Sequence, residues 1–278
     1  MPKHDALLRA RYGEQPTPAT ILWNQQVEAL LAHRSVRAFT DEPVPEGALE
    51  TIVAAAQSAS TSSNLHQWSV VAISEPETKR ELARLTRSAR TDGGGYDFVA
   101  DAPTVLLWVA DMSRNREISS ASGGDPVVTD YLDAFLMASV DAALAAQNGM
   151  VAAESLGLGG VYLGSLRNHA EELAELVGLP PYAYVVFGTA IGIPDETRPS
   201  AVRPRPAQSV VLHHEKYEHT AHEEWVRDYE AATTVFREEN GLRDKTWAEA
   251  VVIGTGFDYM DGRENLRPTL QRRGFGLR

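Results

Sequence analysis

Residues 33–37 bring two arginines, a histidine and a serine close together in the order His33-Arg34-Ser35-Val36-Arg37. Two guanidinium groups and a hydroxyl at this spacing can form several charge-assisted hydrogen bonds to one phosphate. The segment also ends a helical pattern, and cationic side chains are common where they complement the negative end of a helix dipole. The motif by itself therefore indicates either a phosphate site or a charged helix terminus.

A run of hydroxyl side chains occupies residues 58–64, Ser58-Ala59-Ser60-Thr61-Ser62-Ser63-Asn64. Small side chains let the main chain approach a planar ligand, and hydroxyl and N–H groups can bond to the polar edge or the phosphate of that ligand. An ordinary solvated loop is the alternative.

Glycines punctuate residues 157–168, which read Gly-Leu-Gly-Gly-Val-Tyr-Leu-Gly-Ser-Leu-Arg-Asn. Gly159, Gly160 and Gly164 flank apolar residues, a pattern typical of main chain that comes close to a flat group. The pattern is not a dinucleotide-binding fingerprint, because Gly157-x-Gly159 follows a helical pattern instead of a strand.

The remaining histidines and serines do not match the sequence motifs of a metal site or of a hydrolase. His213, His214 and His219 lack the i, i+4 histidine pair with an intervening Glu of a metalloprotease, so we expect surface histidines and no metal site. Residues 60–63 lack the G-x-S-x-G elbow of a serine hydrolase. The chain has no cysteine, which excludes disulfides, thiolate metal sites and cysteine nucleophiles.

The composition is that of a folded protein. Of the 278 residues, 43% are hydrophobic and 23% are charged, which excludes the disordered, collagen-like and coiled-coil classes. The formal net charge of −12 argues against binding to nucleic acid or to an anionic membrane. The first thirty residues show no secretory pattern, and polar residues interrupt the apolar stretch 131–158, so we expect a cytoplasmic protein without a membrane span.

Hydrophobic periodicity predicts the elements that must position these motifs. The predicted helices are 21–32, 46–57, 77–87, 127–156 and 171–176, and the predicted strands are 68–73, 104–110, 161–163 and 183–193. Because strands and helices do not alternate strictly, the pattern favours an α+β fold.

The longest predicted helix, 127–156, places Leu132, Leu136, Val140 and Leu144 on one stripe and alanines over most of the rest of its surface. We expect such a helix to be packed on nearly every side. Gly-rich and Ser/Gly-rich sequences at 91–95 and 119–125 predict two flexible loops.

Three blocks of the sequence, taken in order, resemble the nitroreductase family, and most closely its oxygen-insensitive NADPH nitroreductase and NADPH-flavin oxidoreductase branch. The blocks are 33–43, 147–168 and Arg203-Pro204-Arg205. The resemblance runs from about residue 21 to the C-terminal region. It implies one α+β nitroreductase-like domain over 1–278, with a central, mostly antiparallel sheet surrounded by helices. It also implies an intertwined homodimer in which residues from about 210 to 278 wrap the partner subunit.

The resemblance further implies a tightly bound FMN at the subunit interface. The residues that it assigns to FMN are His33, Arg34, Ser35 and Arg37 at the phosphate and pyrimidine side, Thr61 in the hydroxyl loop, Tyr162, Leu163, Gly164 and Ser165 along the isoalloxazine, and Arg203 and Arg205 at the phosphate and ring. Where the family has a flavin-contacting glutamine, this chain has the insertion 91–95. The insertion could form a lid that includes Tyr96 or a plain surface loop.

Arg237 and Arg243 stand near the positions where this branch places arginines that bind the 2′-phosphate of NADPH. The alternative for Arg237 is pairing with Glu238 and Glu239 on a solvated helix face. The implied activity is ping-pong, two-electron hydride transfer from NADPH through FMN to nitroaromatics, quinones or flavins. Two alternatives stay open: a flavin-fragmenting or dehalogenating relative, and a non-catalytic FMN-binding sensor or storage protein.

Overall fold

The computed structural model describes residues 2–18, 20–88, 96–219 and 222–278. The helices are α1 (Pro2–Tyr12), α2 (Gln25–Ala32), α3 (Ala48–Gln57), α4 (Pro76–Leu85), α5 (Phe98–Asp101), α6 (Ser113–Ala121), α7 (Leu132–Ser155), α8 (Ala170–Leu176), α9 (His222–Glu239), α10 (Trp247–Thr255) and α11 (Leu266–Arg272). The strands are β1 (Trp68–Ile73), β2 (Thr104–Asp111), β3 (Gly159–Leu163) and β4 (Ala183–Gly192).

The chain forms two compact units. The first consists of Met1–Ser35 and Ser200–Tyr259, and the second of Val36–Pro199 and Met260–Arg278. The first unit contains α1, α2, α9 and α10, and the second contains the sheet. The α+β class is confirmed, whereas the wrapping of a partner by the C-terminal residues stays a prediction.

The sheet has the strand order β1-β2-β4-β3, and every neighbouring pair is antiparallel. Strand β2 is buried at all eight of its residues, which explains its continuous apolar sequence. Its side chains alternate between two layers, as the period of a strand requires. Leu106 and Trp108 pack with α3 and α7, whereas Leu107 and Val109 pack with residues of α4 on the other side.

Helix α7 packs through its small residues and not through its large ones. Its buried positions are mainly alanines, including Ala138, Ala142, Ala145 and Ala146. The apolar stripe, which we define as Leu132, Leu136, Val140 and Leu144, is 45–57% exposed. Within one chain α7 is therefore packed only on the face of its small residues, and not on nearly every side as the sequence predicts. Small side chains let α7 lie close against α3 and the sheet, and this turns the large side chains outward.

The contact at Gly149 shows how closely α7 approaches the sheet. A Cβ added at this position would lie 3.2 Å from the Trp108 ring and 3.3 Å from Ile52. By length and composition alone, α7 is long and apolar enough to cross a membrane. However, 44% of its apolar window is buried within the chain, which is typical of a core helix.

Several element boundaries differ from the predicted ones. Helix α2 begins only at Gln25, because Asn24 caps it by accepting a hydrogen bond from Val27 N at 2.8 Å. Helix α6 extends to Ala121, so the predicted loop 119–125 begins inside a helix. The insertion 91–95 lies outside the described residues. Tyr96, just after it, stacks on Phe98 at a centroid distance of 5.4 Å.

Candidate active site

The arginine motifs of the first unit are joined through a residue that the sequence did not single out. Arg11 is 6% exposed. Its guanidinium donates to the carbonyl oxygens of Arg203 at 2.8 Å, Leu31 at 2.7 Å and His33 at 3.0 Å. In addition, Arg205 N donates to Arg11 O at 2.7 Å. The segment that carries Arg34 and the segment that carries Arg203 and Arg205 are thus held together.

This arrangement bears on the two interpretations of the 33–37 motif. Arg11 already supplies a positive charge at the C-terminus of α2, where it binds Leu31 O and His33 O, so these two carbonyls do not need Arg34 as a counter-charge. Arg34 is half-buried, and within the described residues its side chain has no hydrogen bond or ion pair. The Arg203 and Arg205 residues are exposed. An arginine such as Arg34, whose side chain has no carboxylate partner within the described residues, favours the anion-site interpretation.

In the second unit the other half of the motif lies beside β3. Val36 N donates to Gly160 O at 3.0 Å, and Val36 is 4% exposed. A Cβ on Gly159 would lie 2.6 Å from Val36 Cγ2, so the glycine is needed for this close approach. The exposed Arg37 follows directly. Within the described residues its side chain also lacks a protein partner.

The hydroxyl loop is fixed by a buried carboxylate on α7. Asp141 is 1% exposed, and it accepts hydrogen bonds from Ser62 N at 2.9 Å and from Gln67 N at 3.4 Å. The main chain beyond Ser62 is strained, because Ser63 and Asn64 have φ values of 51° and 57°. A strained backbone conformation of this kind persists only when the structure around it holds it in place. Thr61, just before the strained residues, is extended and half-buried.

Strand β3 presents one aromatic side chain outward. Tyr162 is 37% exposed, whereas Leu163 is 2% exposed and belongs to the core. Only the main chain of Leu163 is therefore available to a ligand. The Tyr162 hydroxyl lies 3.2 Å from Gln147 Oε1, and its ring meets Phe187 edge-on at 5.3 Å. Burial and the charge of Glu154 raise the pKa of Tyr162 to about 12.

The turn after β3 is where a polar ligand atom fits best. Ser165 Oγ is buried and has no hydrogen-bond partner among the described residues. A buried hydroxyl in that condition is costly unless a ligand atom bonds to it. Arg167 stands beside the turn: a Cβ on Gly164 would lie 3.4 Å from Arg167 Nη2, and Arg167 Nη1 donates to Val186 O at 2.7 Å. The exposed tyrosine, the small Gly164 and the unsatisfied serine fit the polar edge of a flat ligand.

The two arginines predicted for NADPH lie close together at the end of α9. Arg237 Nη1 donates to Arg243 O at 2.7 Å, so the expected pairing of Arg237 with Glu238 or Glu239 is not what holds it. A cavity of about 480 Å³ is lined by Arg243, Lys245, Ala248 and Val252 among others. Helix α10 starts there with a complete capping box between Thr246 and Glu249.

The three histidines do not form a cluster with acidic residues. His214 and His219 are exposed, and His213 is half-buried and packs on Tyr217 at 4.5 Å. Across the part of the chain that the structure describes, no group of three or more His, Cys, Asp or Glu side chains could hold a metal ion.

Sequence reasoning missed two residues that shape these sites. Asp141 carried a usable signal, because a single carboxylate between Val140 and Ala142 in an apolar helix indicates a buried, hydrogen-bonded role. Arg11 carried none, because its acceptors are main-chain carbonyls far away in sequence.

Known proteins resemble this chain over nearly all of its length. The profile described as the nitroreductase family matches residues 30–193, and the profile described as its C-terminal domain matches residues 203–278. An NADPH-flavin oxidoreductase of Vibrio harveyi is 33% identical over 257 residues, which cover 92% of this chain and 100% of the relative. An FMN reductase (NADPH) of Bacillus subtilis is 31% identical over 262 residues, which cover 91% and 98%.

Solved structures show the same relationship. NfrA2 of B. megaterium matches with a TM-score of 0.83 and 32% identity, covering 92% of this chain and 100% of that one. NADPH:FMN oxidoreductase from Vibrio harveyi, solved with NAD⁺, matches with a TM-score of 0.77 and 33% identity over the same shares. Helix α1 precedes the residues that either family profile matches.

Proposed function

The chain belongs to the nitroreductase family, and we propose which of its residues hold the flavin and what the enzyme reduces. It is an NAD(P)H-dependent oxidoreductase with FMN as cofactor and NADPH as co-substrate. When bound, FMN supplies two-electron hydride chemistry. The protein must therefore bind and orient two reactants and keep one face of the site accessible to both.

The phosphate of FMN is assigned to Arg34 and Arg205, with His33, Ser35, Arg37 and Arg203 at the phosphate and pyrimidine side. Supporting this, Arg34 has no protein partner within the described residues. The main chain that carries Arg34 and Arg205 is fixed by Arg11. In a chain with a net charge of −12, an arginine such as Arg34 without a carboxylate partner among the described residues is suited to an anionic ligand.

The ring of FMN is assigned to Thr61, Tyr162, Gly164 and Ser165, and to the main chain of Leu163. The observation that carries this proposal is the buried Ser165 Oγ without a partner among the described residues, which a polar atom of the isoalloxazine edge would satisfy. Thr61 is positioned by the same helix that positions Tyr162. Asp141 holds the residue after Thr61, and Gln147 contacts the Tyr162 hydroxyl.

Tyr162 acts as a hydrogen-bond donor and not as a base. A tyrosine hydroxyl keeps its proton at neutral pH, and burial raises the pKa of Tyr162 further, to about 12. Hydride chemistry requires no side chain that removes a proton, so a neutral phenol suits the site. The Tyr162 and Phe187 rings add an apolar surface for a flat reactant.

The acceptors that we propose are nitroaromatics, quinones or free flavins. A flat ring stacked on another flat ring needs few specific polar contacts. Donor and acceptor would use the same face in turn, so we propose ping-pong kinetics in which NADP⁺ leaves before the acceptor binds.

A second copy of this chain is the partner that we propose for the apolar stripe of α7. Leu132, Leu136, Val140 and Leu144 form one exposed line along the longest helix. A monomer rarely exposes such a continuous apolar line to water. The long helix of one subunit would pack on that of the other, in accordance with the homodimer that the family resemblance implies.

The visible spectrum of the purified protein tests the function. We expect flavin absorbance, and release of FMN on denaturation. Under anaerobic conditions NADPH should bleach the flavin band within the mixing time of a rapid assay, and a quinone should restore it. A flavin that NADPH does not bleach would contradict the enzymatic role and favour a sensor or storage protein.

The phosphate assignment has its own test. Arg34→Ala should lower the FMN content of the purified protein, while the melting temperatures of the flavin-free variant and flavin-free wild type stay close to each other. The matched control is Arg198→Ala, which removes an exposed arginine paired with Asp195 in the second unit and should leave the FMN content unchanged. Equal FMN content in Arg34→Ala and wild-type protein would contradict the assignment.

A further inference from the structure

Helix α1 ends in a buried cation that binds only main-chain oxygen atoms. The three hydrogen bonds of the Arg11 guanidinium are 2.7–3.0 Å long, and each acceptor is a carbonyl oxygen. A buried guanidinium costs free energy unless its donors are satisfied. The planar fork of arginine can reach several carbonyls at once, which a lysine ammonium on its flexible stem does less well.

The carbonyls bound by Arg11 flank the arginines that we assign to the phosphate. Leu31 O and His33 O precede Arg34, and Arg203 O lies two residues before Arg205. Arg11 itself is therefore not one of the residues that we assign to the phosphate. It fixes the main chain from which the phosphate-binding side chains extend.

The end of α1 also binds Arg205 through both main-chain polar groups of that residue. Arg205 N donates to Arg11 O at 2.7 Å, and Gln15 Nε2 donates to Arg205 O at 3.1 Å. Gln15 is 6% exposed, and its amide also donates to Tyr12 O at 2.8 Å. The segment that carries Arg205 is therefore held at consecutive points by α1 and the residues just after it.

The position of α1 relative to α9 leaves little freedom. Gly13 has a φ of +62°, and a Cβ added to it would lie 2.8 Å from Ala232 Cβ. From α9, Tyr229 Oη donates to Pro204 O at 3.3 Å. The same short segment around Pro204 is thus bound by α1 on one side and by α9 on the other.

We propose that Arg11 is a positioning residue for the phosphate of FMN, and that α1, which neither family profile covers, preorganises the arginine segments before the flavin binds. This inference rests on the proposed role of Arg34 and Arg205. Preorganisation strengthens binding because the cost of ordering the binding groups is met during folding. Burial and the nearby charge of Arg205 both lower the pKa of Arg11, and a bound phosphate dianion would offset this repulsion.

The test compares FMN with riboflavin, which lacks the phosphate. Full-length protein is freed of flavin, and each ligand is titrated by the quenching of its fluorescence. Wild-type protein should bind FMN much more tightly than riboflavin. Arg11→Ala should weaken FMN binding by about tenfold or more and riboflavin binding by clearly less, because riboflavin lacks the phosphate that Arg34 and Arg205 would bind.

Two further variants separate geometry from charge. Arg11→Lys keeps the charge but not the planar fork, so it should lose most of the preference for FMN. Arg9→Ala is the matched control, because Arg9 lies on the same helix and its side chain is 80% exposed; it should bind both flavins like the wild type. If Arg11→Ala does not fold, Gln15→Ala leaves Arg11 in place and removes the hydrogen bonds to Arg205 O and Tyr12 O, and it should again weaken FMN selectively.

The outcomes are distinguishable. Equal wild-type affinity for FMN and riboflavin would overturn the phosphate assignment itself. A wild-type preference for FMN that Arg11→Ala and Gln15→Ala both retain would overturn the role of Arg11 alone. Equal weakening of both flavins in these variants would show that α1 only stabilises the fold, which would also overturn the inference.

Discussion

Asp141 is the residue on which the shape of the hydroxyl loop depends most directly. Its carboxylate accepts from two main-chain N–H groups, those of Ser62 and Gln67, at the two ends of a strained segment. Asp141→Ala leaves both donors without this acceptor, and an unsatisfied buried donor costs about 1–3 kcal/mol. We expect the free energy of unfolding to fall by about that amount, measured by urea denaturation.

The control for Asp141→Ala is Asp133→Ala, because Asp133 is exposed near the start of the same helix. This variant should change the free energy of unfolding by less than about 0.5 kcal/mol. If both variants unfold at the same urea concentration, Asp141 does not hold the loop. Flavin content should also fall in Asp141→Ala, since Thr61 adjoins the loop that Asp141 fixes.

Arg243 is one of the two arginines that the family resemblance implies for the 2′-phosphate of NADPH, and we propose that it favours NADPH over NADH. Its side chain has no protein partner within the described residues, and it borders the 480 Å³ cavity at the start of α10. A charge-assisted hydrogen bond to a phosphate contributes about 1.5–3 kcal/mol. Arg243→Ala should therefore raise the KM for NADPH by about ten- to a hundredfold and leave the KM for NADH almost unchanged.

Steady-state kinetics with the two donors checks this expectation, and Arg227→Ala on the exposed face of α9 is the control. Arg227 is 73% exposed and pairs only loosely with its neighbour Asp228 at 3.5 Å, so its loss should alter neither KM. If Arg243→Ala raised the KM values for NADPH and NADH equally, Arg243 would not recognise the 2′-phosphate.

The residues that sequence reasoning found are those whose chemistry is visible in their own neighbourhood. The 33–37 motif and the glycines of 159–164 stand out because several unusual residues lie together. Arg11 and Gln15 do not stand out, because a lone arginine or glutamine in a polar helix is ordinary. Their roles depend on main-chain carbonyls about 190 residues away, and no local pattern encodes such a contact.

At the scale of elements, the sequence predicted strands better than helix environments. The predicted bounds of β1 agree with the structure, and β2 is one residue longer than predicted, because apolar β-branched runs between turn residues have few other solutions. The prediction for α7 differs from the structure of the single chain. Periodicity shows that two faces of a helix differ in side-chain type, but it does not show which face packs against the sheet. The alanine face of α7 allows a close contact with a neighbouring element, whereas the larger leucine side chains keep a neighbour further away. Within the chain, the alanine face makes the contact.

The turn after β4 links stability to pH through Asp195. This carboxylate accepts from the hydroxyl and N–H of Thr197 and from Arg198, which lowers the pKa of Asp195 from 3.8 to about 2. Because the folded state lowers this pKa, the stabilisation is fully present above about pH 4 and is lost as the pH falls towards 2.

Asp195→Asn should therefore melt at a lower temperature than the wild type at pH 7. The difference should shrink between about pH 4 and pH 2, where the wild-type carboxylate takes up its proton. Thermal melts of both proteins across this range provide the measurement. A difference in melting temperature that stays constant down to pH 2 would show that the charge of Asp195 contributes nothing.

At the scale of the whole molecule, the exposed stripe of α7 is the surface that we propose as the interface between two copies of this chain. Leu132, Leu136, Val140 and Leu144 are 45–57% exposed although the helix is the longest in the described chain. Burying apolar area between two subunits contributes roughly 25 cal/mol per Å². A charge at the centre of such an interface would have to be desolvated without a partner, which costs several kcal/mol.

Leu136→Glu should therefore convert a dimer into a monomer at micromolar concentration, measured by sedimentation velocity. The control is Ile118→Glu on α6, since Ile118 is equally apolar and 65% exposed but lies off the stripe; this variant should stay dimeric. If FMN binds at the subunit interface, as the family resemblance implies, the Leu136→Glu monomer should also lose FMN while it stays folded by circular dichroism. A Leu136→Glu protein that sediments as a dimer would exclude the stripe from the interface, and a monomer that retains FMN would place the whole flavin site within one chain.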